Sequence, residues 1–383
     1  METQKMSEPN TNDPMKKTVI TLREICRLDS MGAILTRIHA GCFGISLSLG
    51  YQALLWKVLL RPQKNSRIPF SVPEIFSTTF LTVVWSFSVL VLVLLSLLYA
   101  LKCLLRFQTI KAEFMHHVGV NYLFAPWISW LLVLESAPFV TPRNASFVVL
   151  WWIFAIPVVI LDVKIYGQWF TKGKRVLTAV ANPTSQLSVI GNLVGSRAAA
   201  KMAWTEVSIF LFSLGMVHYL VLFVTLYQRI PYGAGPLPAM LRPVFSLFFA
   251  VPSLASLAWY SITGSFDTAA KMLFYLSLFI FLSLICRPLL FKKSMKRFSV
   301  AWWAYSYPIT MLALASTRYQ QQVPGRFPRV VSLLLSALSV IVLFALLLFS
   351  AMRPKSLLPN HDSLHAALPT HRSSNTTIPS ATP

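Results

Sequence analysis

Residues 78–101 read TTFLTVVWSFSVLVLVLLSLLYAL, an apolar run without a charged side chain. A helix needs about 20 mostly apolar residues to cross the hydrocarbon core of a bilayer, so this run predicts a membrane helix. Residues 207–227 and 330–352 are equally clear, and residues 144–161 and 268–286 are shorter but as apolar at their centres. Hydrophobic residues make up 55% of the chain and charged residues only 12%, which excludes an ordinary soluble domain.

Five weaker segments alternate with these strong ones. The most polar is 176–196, VLTAVANPTSQLSVIGNLVGS, which stands between Arg175 and Arg197. The other weak segments are 38–56, 118–134, 243–266 and 298–317. A membrane helix with many polar side chains must face protein or water rather than lipid. The alternation therefore predicts an all-α integral membrane protein in which ten transmembrane helices form five hairpins, with the weak helices inside and the strong ones outside.

Prolines recur in the weak segments, at Pro126, Pro183, Pro252 and Pro308. A proline inside a helix removes one backbone hydrogen bond and bends the helix. Their recurrence suggests a repeated two-helix unit with bent inner helices. The alternative is that prolines are simply commoner in membrane helices than in soluble ones.

Basic residues dominate the charge of the chain, with 34 Lys and Arg against 12 Asp and Glu and a formal net charge of +22. They stand in short runs between apolar segments, where the positive-inside rule and anionic lipid headgroups account for many of them, so nucleic-acid binding is not expected. If the N-terminus lies in the cytosol, most of these basic residues lie there too. We expect a short cytosolic N-terminal segment (1–35), a ten-helix domain (36–352) and a disordered cytosolic tail (353–383).

Residue patterns typical of an enzyme or of a metal or cofactor site are not found in the sequence, so we expect none of these. Glu135, Asp162 and Glu206 lie near the ends of predicted helices, and Asp162 has Lys164 beside it as a helix-end ion-pair partner. A proton-coupled transporter usually keeps a carboxylate near the membrane centre. Hydroxyl, small and aromatic side chains in the inner helices, with basic loops at the mouths, instead suit passive passage of small anions.

Seven short strings, taken together, resemble the plant slow-type anion channel family over residues 36–352. They are GCFGI (41–45), FAPW (124–127), KIYGQW (164–169), ANP (181–183), GMVHY (215–219), FVTLYQR (223–229) and FSVAWW (298–303). The more distant bacterial TehA proteins, which are linked to tellurite resistance, share the fold of that family. The resemblance implies a homotrimer in the plasma membrane whose subunits each hold five hairpins around their own pore and pass chloride and nitrate.

The resemblance also implies a gate. A phenylalanine before the proline of the ninth helix plugs the pore in the family, and Tyr307 takes that place here, next to Pro308. The tyrosine hydroxyl offers a hydrogen bond to water or to a neighbouring helix, which would latch the ring shut. The family's cytosolic basic gating residues are matched by Lys111 and Arg175, and its second pore phenylalanine by Leu132.

Two further aromatic residues of the inner helices, Phe43 and Phe124, are candidates for narrowing the pore, with ordinary packing as the alternative. Regulated family members carry long cytosolic N-terminal extensions that a protein kinase phosphorylates, whereas this chain resembles the short members that modify a longer subunit. Three hypotheses follow. The chain is a conducting channel subunit, an electrically silent partner in a hetero-oligomer with a longer slow-type subunit, or a carrier of small organic or oxo-anions.

Overall fold

The computed structural model describes residues 35, 37–60, 74–116, 118–142, 144–171, 181–232, 239–292, 294–296 and 298–357. All regular structure in these ranges is helical. The ten longest described helices are α1 (Gly44–Leu59), α2 (Glu74–Leu105), α3 (Phe124–Ser136), α4 (Ala145–Thr171), α5 (Gln186–Lys201), α6 (Thr205–Tyr232), α7 (Leu247–Thr263), α8 (Thr268–Ile285), α9 (Trp303–Gln322) and α10 (Arg326–Met352). Each overlaps one of the predicted segments.

Seven of the described helices are long and apolar enough to cross a membrane. They are α1, α2, α4, α6, α7, α8 and α10. The short helix Phe107–Met115 and the stretch Gly119–Ser136, which contains α3, would together add an eighth. α5 and α9 come from weak segments and do not pass the same test. The chain is therefore an all-α, multi-pass membrane protein.

The odd-numbered helices are buried and the even-numbered helices are exposed. In the most apolar windows of α1 and α7, 72% and 78% of the residues are buried, against 11% to 33% in α2, α4, α6, α8 and α10. In α5 every residue from Gln186 to Ala199 is buried. The prediction that segment 176–196 avoids lipid is thus confirmed for its described part, which begins at residue 181.

The five buried helices pack in an order that closes on itself. α1 contacts α3 and α9, α5 contacts α3 and α7, and α7 also contacts α9. Each even-numbered helix packs on the odd-numbered helix before it, from α2 on α1 to α10 on α9. These neighbours agree with the predicted alternation of inner and outer helices.

Hydroxyl pairs tie three of the inner helices to their outer neighbours. The oxygen–oxygen distances are 3.1 Å for Ser196 and Ser208 (α5 and α6), 2.5 Å for Ser253 and Ser277 (α7 and α8), and 2.7 Å for Thr310 and Ser339 (α9 and α10). Small hydroxyl side chains let helices approach closely and satisfy one another away from water. These hydroxyls of the inner helices therefore bind the outer helices rather than serving an anion path.

Three of the four prolines lie inside helical stretches, namely Pro126, Pro252 and Pro308. The stretch Gly119–Ser136 is interrupted at Leu123, directly after Tyr122, whose carbonyl would accept the helical hydrogen bond that Pro126 cannot donate. Pro183 differs, because it is the first residue of a 3-10 turn that leads into α5. The side chain of Asn182 caps this turn by accepting a hydrogen bond from the amide of Thr184. A bend at Pro183 was therefore a wrong prediction, since a proline at a first helical position starts the helix.

Gly191 marks a close approach between α5 and α4. A Cβ atom at this position would lie 2.9 Å from Cγ1 of Val158. We expect Gly191→Ala to lower the stability of the purified protein by about 1–3 kcal/mol, the usual cost of overpacking, measured by its melting temperature in detergent. Gly167→Ala on α4 is the matched control, because a Cβ there meets no described atom within 4 Å and alanine favours a helix. Equal melting temperatures for the two variants would contradict this packing.

Candidate functional site

Tyr307 lies in the second turn of α9 with only 3% of its surface exposed. Two other tyrosines, Tyr122 and Tyr51, are within electrostatic range of it. Tyr122 ends the short helix Gly119–Tyr122 before α3, and Tyr51 lies fully buried in the middle of α1. Tyr307 therefore interacts electrostatically with one tyrosine of α1 and one of the short helix before α3.

The hydroxyl of Tyr51 is short of a partner. It is buried and forms no hydrogen bond with any described residue. The hydroxyl of Tyr307 is not among the buried atoms that lack a partner. The expected latch through this hydroxyl, to a neighbouring helix or to water, stays a prediction.

The other candidates for lining the pore pack between helices. Phe43, in the 3-10 turn before α1, contacts Tyr99 of α2 edge-on with ring centroids 5.9 Å apart. Phe124 and Leu132 on α3 are fully buried beside glycine positions of α5 and α1 respectively. These contacts are those of ordinary helix packing, the alternative stated for the two phenylalanines.

The structure describes one of the two candidate basic gating residues. Lys111 is exposed on the short helix Phe107–Met115, whereas Arg175 lies outside the described residues. The short helix is anchored by Glu113, whose carboxylate accepts a 2.8 Å hydrogen bond from the amide of Ala40 and lies 3.6 Å from Nζ of Lys102. Lys102 is only 2% exposed in the last turn of α2, so it supports this junction rather than standing in a loop.

A charged group that sequence reasoning missed joins the C-terminal ends of α1, α3 and α5. Oε1 of Glu135 lies 3.2 Å from Nε of Arg197 and 2.5 Å from Nζ of Lys201, both on α5. Nζ of Lys57, in the last turn of α1, donates to the backbone carbonyls of Glu135 (2.9 Å) and Ala137 (2.7 Å). We call Lys57, Glu135, Arg197 and Lys201 the charge cluster.

One sequence signal for the charge cluster was available. Arg197 and Lys201 are four residues apart and therefore share one face of a helix. The sequence prediction placed Arg197 just beyond the end of segment 176–196. In the structure α5 continues past this residue, which is only 2% exposed. Glu135 and Lys57 are brought to that face only by the packing of α3 and α1 against each other and of α3 against α5.

Asp162 corrects another expectation. α4 continues to Thr171, so Asp162 lies more than two turns before the end of the helix and is 1% exposed. Its Oδ2 accepts a 2.7 Å hydrogen bond from the side chain of Asn192 on α5. Lys164 forms no ion pair with it among the described residues and donates instead to the carbonyl of Phe114 (3.0 Å). A buried carboxylate is therefore present within a helix, contrary to the prediction from the sequence.

Comparison with known proteins decides the family. The family model for voltage-dependent anion channels matches residues 37–351. The chain belongs to this family. The S-type anion channel SLAH1 of Arabidopsis thaliana is 54% identical over 328 residues, which cover 86% of this chain and 84% of that protein. For the guard cell S-type anion channel SLAC1 of the same plant the identity is 43% over 331 residues, covering 85% and 58%.

A tellurite resistance protein TehA homolog of Haemophilus influenzae is 24% identical over 288 residues, which cover 74% of this chain and 81% of that protein. Both resemblances drawn from the sequence strings are therefore confirmed. The family is one of channels and not of enzymes.

In this member of the family, the charge cluster combines three cationic side chains with one carboxylate. Two of its members, Arg197 and Glu135, are almost completely buried. The two lysines, Lys57 and Lys201, are partly exposed. Basic side chains attract anions and repel cations. Among the described residues no group of three His, Cys, Asp or Glu side chains is placed to hold a metal ion.

Proposed function

We propose that the chain is a slow-type anion channel subunit that passes chloride and nitrate passively across the plasma membrane. The observation that carries the proposal is the closed order of α1, α3, α5, α7 and α9, which bury tyrosines in a chain of the anion channel family. α1 and α5 also hold the three basic side chains of the charge cluster. An anion path needs positive potential and hydrogen-bond donors, and these helices supply both. The names of the S-type relatives support the same function.

The proposed architecture has ten membrane-crossing helices arranged as five hairpins around one pore in each subunit. α5 and α9 are too polar to face lipid, and they cross because the other helices shield them. The exposed apolar faces of the even-numbered helices suit contact with membrane lipids and with two further copies in a homotrimer. The same faces suit a hetero-oligomer with a longer slow-type subunit.

The proposed gate is the ring of Tyr307, held at the bend that Pro308 introduces into α9. Pro126 and Pro252 shape the path in the same way. Lys111 and Arg175 are the proposed basic gating residues on the cytosolic side, where a protein kinase would act. Since Phe43, Phe124 and Leu132 pack between helices, we assign them to supporting the inner helices.

Both termini are expected to face the cytosol, because ten crossings return the chain to its starting side and most of the basic loops lie there. Epitope tags at either end should stay unlabelled on intact cells and become labelled after permeabilisation. A tag inserted after Thr141, between α3 and α4, should be labelled without permeabilisation. Surface labelling of one terminus alone would show that one helix, most plainly α5, does not cross.

Voltage-clamp recording of the chain alone, and together with a longer family member, tests the proposed function. Anion current from the chain alone supports a conducting subunit. Current altered only in the presence of the longer member supports the electrically silent, modulatory role. An assembled chain at the plasma membrane that neither conducts nor alters the current of a longer member contradicts both.

A carrier of small organic or oxo-anions is the second candidate, and the buried carboxylate of Asp162 is the observation that favours it. A proton-coupled carrier depends on an ionisable group within the membrane. Transport that follows a pH gradient, and loses that dependence in Asp162→Asn, would support the carrier. Transport indifferent to the pH gradient supports the channel.

A further inference from the structure

Two carboxyl groups are buried among the described residues, and their surroundings differ. Glu135 lies 3.2 Å from Arg197 and 2.5 Å from Lys201, so its charge is balanced. The side chain of Asp162 forms no ion pair in the described part of the chain and receives one hydrogen bond there, from Nδ2 of Asn192 at 2.7 Å. A buried carboxylate with one donor and no cation is costly. The burial of Asp162 is therefore favourable only if the group is neutral.

The amide of Asn192 has a defined orientation. Its Nδ2 donates to Oδ2 of Asp162 and, at 3.1 Å, to the backbone carbonyl of Ser188 one turn earlier on α5. Both amide hydrogens are thus used, and a reversed amide would place its oxygen against two acceptors. Two oxygens, Oδ1 of Asp162 and Oδ1 of Asn192, are buried without a partner among the described residues. They belong to the two planar groups that already meet through Oδ2 and Nδ2, and what both lack is a donor.

We propose that Asp162 and Asn192 form a proton-binding site between α4 and α5, in which Asp162 carries a proton on Oδ1 at neutral pH. The O–H group donates to Oδ1 of Asn192, while Oδ2 accepts from Nδ2. A carboxylic acid and a primary amide then pair through two parallel hydrogen bonds. One proton removes the charge and satisfies both oxygens. This inference goes beyond the proposed function, and it applies to a channel and to a carrier alike.

Close packing shields the pair from water. Asp162 and Asn192 are 1% and 0% exposed. On α6, a Cβ at Gly215 would lie 3.4 Å from Cβ of Asn192, and on α5 a Cβ at Gly191 would lie 2.9 Å from Val158 of α4. The three helices therefore approach one another closely here, so the polar atoms between them must be satisfied by one another.

The titratable and charged side chains of the surrounding helices make other contacts. On α4, Lys164 donates to a backbone carbonyl of the short helix Phe107–Met115. The hydroxyl of Tyr166, also on α4, lies 2.5 Å from that of Ser188, and the Tyr166 ring stacks on His218 of α6. The charged side chains of α3 and α5, which both pack on α4, bind one another in the charge cluster. These described contacts bring no cation to Asp162.

Infrared spectroscopy can detect the proton directly. The C=O stretch of a protonated carboxyl group is separate in frequency from the bands of carboxylates and backbone amides. Purified full-length protein, in deuterated buffer at neutral pH and an ester-free detergent, should show this band. The band should shift when the chain contains aspartate isotopically labelled at its side-chain carboxyl carbon. Asp162→Asn should abolish it, because an amide at this position can still pair with Asn192 but holds no carboxyl proton.

Glu206→Gln is the matched control, because Glu206 is exposed in the first turn of α6. This variant also loses one carboxyl group, and it should keep the band unchanged.

The same proton makes stability depend on pH. An unfolded aspartate has a pKa of about 3.9, so unfolding at neutral pH releases the proton of Asp162. While the folded site keeps its proton, each further pH unit raises the unfolding equilibrium constant about tenfold through this group. From mildly acidic to mildly alkaline pH, the melting temperature of the wild type should therefore fall relative to that of Asp162→Asn. Glu206→Gln should follow the wild type.

Absence of the band from folded wild-type protein at neutral pH would overturn the inference, and this outcome requires no variant. A band that persists in folded Asp162→Asn would also overturn it. If Asp162→Asn does not fold, the isotope label decides, and a band that does not shift contradicts the inference. Asp267, the other aspartate in the described residues, is only partly buried and already accepts from Trp259 and the amide of Ala270.

A metal cation between the two oxygens is the competing occupant. A melting temperature that rises when sodium replaces N-methylglucamine, with no protonated carboxyl band, would assign the site to that cation and overturn the proton. Failure here and failure of the proposed function are separable. A chain that passes anions without a protonated carboxyl group keeps its function and loses this site, whereas a chain that shows the band and never conducts does the reverse.

Discussion

Tyr307→Ala is expected to produce an anion current that flows without an activating signal. An aromatic ring blocks an anion path by its bulk and by stripping water from the ion, and alanine does neither. Tyr307 is almost fully buried in the second turn of α9, within electrostatic range of Tyr51 and Tyr122. Its removal therefore opens space where the inner helices meet. The measurement is whole-cell current at a fixed voltage, for the chain alone and with a longer family member.

Two further variants make the experiment on Tyr307 specific. Tyr307→Phe keeps the ring and should keep the block, while it alters gating if water bridges the hydroxyl to a neighbour. Tyr319→Ala is the control on the same helix, because Tyr319 is also buried but its hydroxyl lies 2.7 Å from that of Tyr275 on α8. Loss of either aromatic side chain costs about 3–5 kcal/mol of packing, so both alanine variants must first be shown to assemble.

An assembled Tyr307→Ala protein with unchanged current, both alone and with the longer partner, would remove Tyr307 from the gate. Equal currents from Tyr307→Ala and Tyr319→Ala would have the same consequence. In that case a general loosening of α9, rather than removal of a plug, would explain the current.

The helices themselves were predictable from the sequence, because in a membrane protein the polarity of a segment determines whether it packs against protein or faces lipid. A segment as polar as 176–196 has no stable place against lipid, and its described part is buried throughout. The residue at which α5 starts was harder to predict, since a hydropathy pattern does not separate a proline that bends a helix from one that begins it. Only the Asn182 cap at Pro183 shows which applies.

The charge cluster could not be read from the sequence for a different reason. Arg197 and Lys201 look like the basic end of a membrane helix, and Glu135 looks like the end of another. The cluster forms because α3 and α5 pack side by side, which brings together residues at least 62 positions apart in the sequence. Asp162 was assigned to a helix end because the boundary of its span was placed ten residues too early. The helix end predicted too early thus led to the wrong environment for this carboxylate.

The most direct test of the proposed channel function is the reversal potential of the current under a chloride gradient with impermeant cations. A tenfold chloride gradient should move the reversal potential by about 59 mV toward the chloride equilibrium potential, the value for one charge per ion. A superimposed pH gradient should leave it unchanged, because passive conduction is not coupled to protons. A reversal potential that follows the cation gradient would contradict anion conduction, and one that follows the pH gradient would contradict a passive channel.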